Sequence, residues 1–163
     1  MSLFNRRFLL LAGPLATIAA CGFTPVYSPG GQGRELWGRV RFNSGTTEES
    51  YLLVRNLEER LGRASSVDYT LDAKITVSEE GQGVTAEGNI NRFSIVGLVD
   101  YEMRASDSEN VVASGNVENF TGYSATGTTV ETLAAQSDAR ERLMQILADQ
   151  LVTRLLADVD AST

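Results

Sequence analysis

The chain has 163 residues, 42% of them apolar and 21% charged, which suits one globular domain and leaves little room for two. Its formal charge of −7 argues against a partner held by nucleic-acid phosphates. With no histidine and a single cysteine, it lacks the commonest general base and metal ligand and can form neither an internal disulfide nor a cysteine zinc cage.

Residues 1–20 have the character of an export signal. Arg6 and Arg7 form a positive start, and Phe8 to Ala20 is an apolar run too short to span a bilayer comfortably. The run ends Ile18-Ala19-Ala20-Cys21, an aliphatic residue and two small ones before cysteine, which is the pattern of a bacterial lipobox. Cys21 is therefore the expected lipid-attachment residue and first residue of the mature chain. Several acyl chains, at about 0.8 kcal/mol per buried CH₂, anchor far better than one. Gly22 stands where an inner-membrane retention signal would carry aspartate, so the expected address is the outer membrane, lipid-anchored and facing the periplasm. Asn5-Arg6-Arg7-Phe8 is compatible with either the general or the twin-arginine export route. Cleavage before Cys21 removes two basic residues and leaves a more acidic chain, which does not adsorb to anionic lipid by itself.

Residues 21–35, with Pro25, Pro29, Gly30, Gly31 and Gly33, read as a lipidated terminus and linker, and 36–160 as a single domain. Leu36 to Asn43 alternates apolar with other residues, a strand pattern. Thr46 and Glu49 match a capping box, Leu53, Leu57 and Leu61 recur at four-residue steps, and Gly62 stops a helix predicted over 47–62. Val67 to Val77 alternates without a break, predicting a strand with one buried and one polar face. Glu79 to Asn89, acidic and glycine-bearing, reads as a loop. Phe93, Ile95, Val99, Tyr101 and Met103 line one face of a second strand. Ser106 to Asn110 turns the chain, and a third strand runs from Val111 to about Tyr123, with a bulge expected where Phe120 falls out of phase. After a small polar loop, Ala135, Ala139, Leu143, Ile146, Leu147, Leu151 and Leu155 make one stripe of a helix predicted over 131–158.

The economical assembly is α+β: a two-layer sandwich whose four-stranded, mostly antiparallel sheet carries two helices on one face. The first strand, its helix and the second strand either form a βαβ unit or add an edge. No catalytic site, cofactor motif or metal-ligand spacing emerges. Lys74, the sole lysine, sits on a polar strand face, and the pairs Glu48-Glu49, Glu58-Glu59 and Glu79-Glu80 read as solvated carboxylates.

Cys21-Gly22-Phe23-Thr24-Pro25-Val26-Tyr27, and the helix from Leu133-Ala134-Ala135-Gln136 through Asp138-Ala139-Arg140-Glu141-Arg142-Leu143 to Leu151, resemble the LptE-type lipopolysaccharide-assembly lipoproteins. The order of elements agrees over the whole mature chain. The resemblance implies a non-enzymatic plug seated in the LptD outer-membrane β-barrel, with lipopolysaccharide as cargo. The polar strand face, with Thr70, Asp72, Lys74, Asp100, Glu102 and Arg104 among its members, suits a barrel lumen as well as it suits water. Lys74, Arg92 and Arg104 are the mid-chain cations available to a phosphorylated glycolipid. An auxiliary lipoprotein of a lipid-transport ABC system shares the anchor, size and build and stands as the alternative; an enzyme working through carboxylates alone is a third reading.

Overall fold

The fold rests on a 34-residue helix, Thr129–Ser162, laid along a four-stranded sheet in a computed structural model that describes residues 33–43, 45–84, 88 and 90–162. The export signal and Cys21 lie outside the described residues. In chain order the elements are α1 (Gly33–Leu36), β1 (Val40–Asn43), α2 (Glu48–Leu61), β2 (Tyr69–Val84), β3 (Ile90–Ala105), β4 (Val111–Ser124) and α3 (Thr129–Ser162). The strands lie in the order β1-β2-β3-β4. β2, β3 and β4 form an antiparallel meander, while β1 joins β2 in parallel, making the sheet mixed. Because β1 and β2 run parallel, α2 is the crossover of a βαβ unit.

The period-2 pattern accounts for the buried face. Leu71 of β2, Ile95, Val99, Tyr101 and Met103 of β3, and Ala113, Val117 and Tyr123 of β4 are all buried. α3 lies over β4 and β3, and α2 packs against α3. The stripe of α3 is wider than the heptad positions alone: Met144, Ala148, Val152 and Val159 are buried with Leu143, Leu147, Leu151 and Leu155. Gly97 sets how closely α3 approaches. A Cβ at that position would stand 2.8 Å from Leu147 Cδ1 and 3.1 Å from Leu143 Cδ2, so the two leucines occupy space that any side chain would claim.

Five expectations change. Leu36 to Arg39 is not strand; α1 ends at the fully buried Leu36, and Gly38 turns the chain at φ 69°, donating its N–H to Leu61 O at 2.7 Å. The alternation of Leu36, Gly38, Val40 and Phe42 hid that turn. The N-cap of α2 is Thr47, whose Oγ1 accepts from Ser50 N at 3.2 Å, rather than Thr46. α3 begins earlier than expected, on a capping box in which Glu131 accepts from Thr128 N at 2.7 Å and donates its own N–H to Thr128 Oγ1. That bond to the Thr128 backbone pulls the Glu131 carboxyl below its ordinary range. Finally, Glu79 to Gly83 belongs to β2. Pairing with β3 continues through Gly81↔Phe93 and, across register shifts, to Val84↔Ile90. The bulge expected at Phe120 is absent: β4 pairs regularly from Ala113 to Ser124, and the only irregularity of this pairing lies at Met103/Arg104. Phe120 breaks the apolar phase because it sits on the uncovered face, 67% exposed.

Glu79 is an exposed strand residue held by partners rather than a loop residue. It accepts from Tyr123 Oη at 2.6 Å and from Gln136 Nε2 at 2.8 Å, while Arg140, 3.9 Å away, donates to Glu49 Oε1 at 2.9 Å. The network ties β2, β4, α3 and α2 at one end of the sandwich. Glu58 likewise holds Arg63, at 2.9 Å. Two further ion pairs, Arg55–Glu141 at 2.6 Å and Arg60–Asp149, clamp α2 to α3.

Leu143→Asp is expected to unfold the domain, exceeding the roughly 3 kcal/mol of a core Leu→Ala change, whereas Thr70→Asp on the opposite strand phase leaves the melting temperature nearly unchanged. Thermal melts of the two variants check this, and the reverse pattern would place the register off by one residue. Burial, then the Glu79 bond, pushes the Tyr123 hydroxyl up from 10.0 to about 12. A raised tyrosine stabilises the fold fully below its unfolded value, and the contribution is lost as pH climbs from 10 to 12. Tyr123→Phe should cost about 1 kcal/mol at neutral pH and show a shallower loss of stability than wild type across that alkaline window.

Candidate functional site

The face of the sheet opposite α3 carries no covering element among the described residues. Strand alternation assigns its members: the even-numbered positions of β2, β3 and β4, and Arg41 and Asn43 of β1, which pair with Thr70 and Asp72. The face is divided. Around Asp72, Lys74, Asp100, Glu102 and Arg104 it is charged; Val96, Leu98 and Phe120 make a small apolar strip in the middle, with Glu118 opposite Leu98 and Glu80 and Arg92 toward the other end.

At the charged end Arg104 bridges two carboxylates, Asp72 at 3.6 Å and Glu102 beside it on the same strand. Asn43 Nδ2 donates to Asp72 Oδ1 at 2.7 Å, tying β1 into the same array. Lys74 stands opposite Asp100 in the ladder and makes no ion pair among the described residues. Lys74 and Arg104 share an open groove of ≈ 550 Å³ with Asn43, Asp72, Asp100 and Glu102. Arg92 lies elsewhere, opposite Ser124 at the other end of β3. Twelve residues of extended strand separate it from Arg104, about 40 Å. The three cations singled out from the sequence therefore form one neighbouring pair and one distant member. The surroundings of Lys74 and Arg104 are rich in carboxylate, so the pair offers local contacts to an anion rather than a basic field.

A second groove, of ≈ 490 Å³, was not legible in the chain. It runs between β4 and α3 and is lined by Asn116, Val117, Glu118, Asp149, Gln150, Thr153 and Arg154. Its strand and helix contributions lie some thirty residues apart, so no local motif announces it. The only linear trace is the helical spacing of Asp149, Gln150, Thr153 and Arg154 on one side of α3. Gln150 Oε1 is buried there without a hydrogen-bond donor among the described residues. Among the described residues no group of three or more His, Cys, Asp or Glu side chains is arranged to hold a metal ion. No described helix is long and apolar enough to cross a membrane.

Three solved structures share the fold. A Caulobacter crescentus CB15 protein superposes with a TM-score of 0.66 at 22% identity, over 78% of this chain and 96% of that one. The rare lipoprotein B of Shewanella oneidensis gives 0.59 at 11% identity, over 77% and 98%. Lipoprotein B of Nitrosomonas europaea gives 0.59 at 11%, over 77% and 86%. No curated protein matches the sequence. The model of the LptE family, described as lipopolysaccharide-assembly, matches residues 39–155, from the turn before β1 into the last turns of α3. With most of its length matched, the chain belongs to the LptE lipopolysaccharide-assembly family.

Proposed function

We propose that the chain is a non-enzymatic outer-membrane lipoprotein that seats in an LptD-type β-barrel and helps assemble it for delivery of lipopolysaccharide to the cell surface. The family match over residues 39–155 carries this reading and favours it over an ABC-system auxiliary lipoprotein. In it, residues 1–20 are removed on export, acylated Cys21 holds the chain at the periplasmic side of the outer membrane, residues 21–35 link the anchor to the domain, and 36–160 is the working domain.

The physical support is the uncovered sheet face. A plug in a water-filled lumen must keep its own core closed and still present a surface that tolerates polar barrel walls. Here the apolar stripe of α3 is spent on β3 and β4, and the opposite face offers paired and unpaired charges beside a modest apolar strip. For the cargo, Lys74 and Arg92 are the better-placed phosphate contacts, because Arg104 already holds Asp72 and Glu102 and a phosphate would have to displace them.

Affinity purification of the lipidated chain from detergent-solubilised envelope is expected to recover an LptD-like barrel in fixed ratio, with acyl mass on Cys21. Depletion of the chain is expected to lower barrel assembly and admit large apolar antibiotics. Recovery of ABC-transporter subunits without a barrel would contradict the reading, as would an unmodified Cys21 thiol for the anchor.

A further inference from the structure

β4 ends the sheet with an edge that no described residue covers. The direction of its hydrogen-bonding groups follows from two contacts. Ala125 N–H donates to Asn91 O at 2.9 Å, next to the Arg92↔Ser124 pair, so the odd-numbered residues of this strand are the ones bonded to β3. Phe120 N–H points the other way and finds only the neighbouring Asn119 Oδ1, at 2.8 Å. The even-numbered residues from Ser114 to Ser124 therefore turn both N–H and C=O to the open side, a donor–acceptor repeat of about 7 Å. A lipid or a sugar does not match that repeat; an extended polypeptide does.

The opposite margin of the sheet is protected and this one is not. Beyond β1, the free edge of β2 carries Lys74, Glu79 and Glu80 and is broken by register shifts between Gly81 and Val84, features that discourage further pairing. β4 has no lysine and no proline, holds regular register from Ala113 to Ser124, and bears one charged residue, Glu118. Beside it lies the groove walled by Gln150, Thr153 and Arg154, with the Gln150 Oε1 acceptor unpartnered among the described residues.

We propose that β4 is a strand-addition edge, on which an extended segment of the barrel partner pairs with the even-numbered backbone and lies in the groove beside α3. The identity of that partner rests on the function proposed above. A second copy of this chain fits poorly: antiparallel pairing of β4 with itself about its centre sets Glu118 within one residue of its own counterpart, and two chains of net charge −7 repel. The segment that fits carries a basic residue against Glu118 and, two positions along, an apolar side chain over Phe120, which shares the same face and is 67% exposed.

Amide exchange of the lipidated chain, alone and in complex with the purified barrel, tests the proposal. Even-numbered amides of β4 are expected to exchange quickly in the free chain and to slow at least about tenfold in the complex, while free-edge amides of β2 between Lys74 and Ser78 stay fast. Asn116→Pro removes an outward donor without breaking a bond to β3, and it should lower barrel recovery about tenfold with the melting temperature of the chain preserved. A complex in which β4 amides stay as fast as in the free chain overturns the proposal and leaves the proposed function standing, as does wild-type recovery by folded Asn116→Pro. If that variant fails to fold, the exchange pattern decides alone. Slowed β4 exchange in a dimer of this chain without the barrel also overturns it. Failure to recover any barrel with the wild-type chain removes both readings.

Discussion

The structure depends on how closely α3 lies on β3 and β4. Gly97 leaves the sheet bare where Leu143 and Leu147 come down, so those two side chains rest on backbone rather than on another side chain. Each buried leucine contributes about 1.5–3 kcal/mol, and the α3 stripe supplies several of them. Once α3 is seated, α2 has a surface to pack on, clamped by Arg55–Glu141, Arg60–Asp149 and Arg140–Glu49. The return of the chain through α2 then brings β1 in parallel beside β2. The more exposed pairs, Arg55–Glu141 and Arg60–Asp149, contribute little to stability individually and chiefly fix orientation, whereas Arg140–Glu49 is the more enclosed of the three.

The same packing decides what is left for function. An apolar stripe on α3 and one apolar sheet face satisfy each other, so the reverse face takes no part in the hydrophobic core. Polar groups that do matter to the fold are gathered at one end, in the Tyr123–Glu79–Gln136 and Arg140–Glu49 contacts. The hydrophobic core therefore lies on one side of the sheet, and the other side is left uncovered among the described residues.

Much of this was legible in the sequence where the pattern is local. The unbroken alternation of Val67 to Val77 and the Leu143–Leu147–Leu151–Leu155 stripe identify a strand and a helix: the four leucines and Leu71 are buried, and Tyr69, Ala73, Ile75 and Val77 are half-buried against the core on the same strand phase. What escaped depends on partners distant in sequence. Glu79 to Gly83 has the composition of a loop, yet β3 pairs with it, and Tyr123, 44 residues on, engages its first carboxylate. Phe120 mimics a bulge in the sequence because it is an apolar residue on the uncovered face, out of phase with the core positions of its strand. The helical turn before Trp37 was masked by accidental alternation. Of the candidate site residues, Lys74 and Arg104 fall at one end of the uncovered face as their phase implied, while the distance of Arg92 from them and the groove beside β4 appear only when strand and helix are placed together.

The proposed function requires the uncovered sheet face to bind the barrel while the domain folds without it. The most direct measurement is barrel recovery with a Lys74→Gln, Arg104→Gln double variant whose domain melt is recorded in parallel. The expected result is an unchanged melting temperature with barrel recovery sharply reduced. Full recovery of the barrel by this variant, or loss of recovery only in step with loss of the fold, would contradict it.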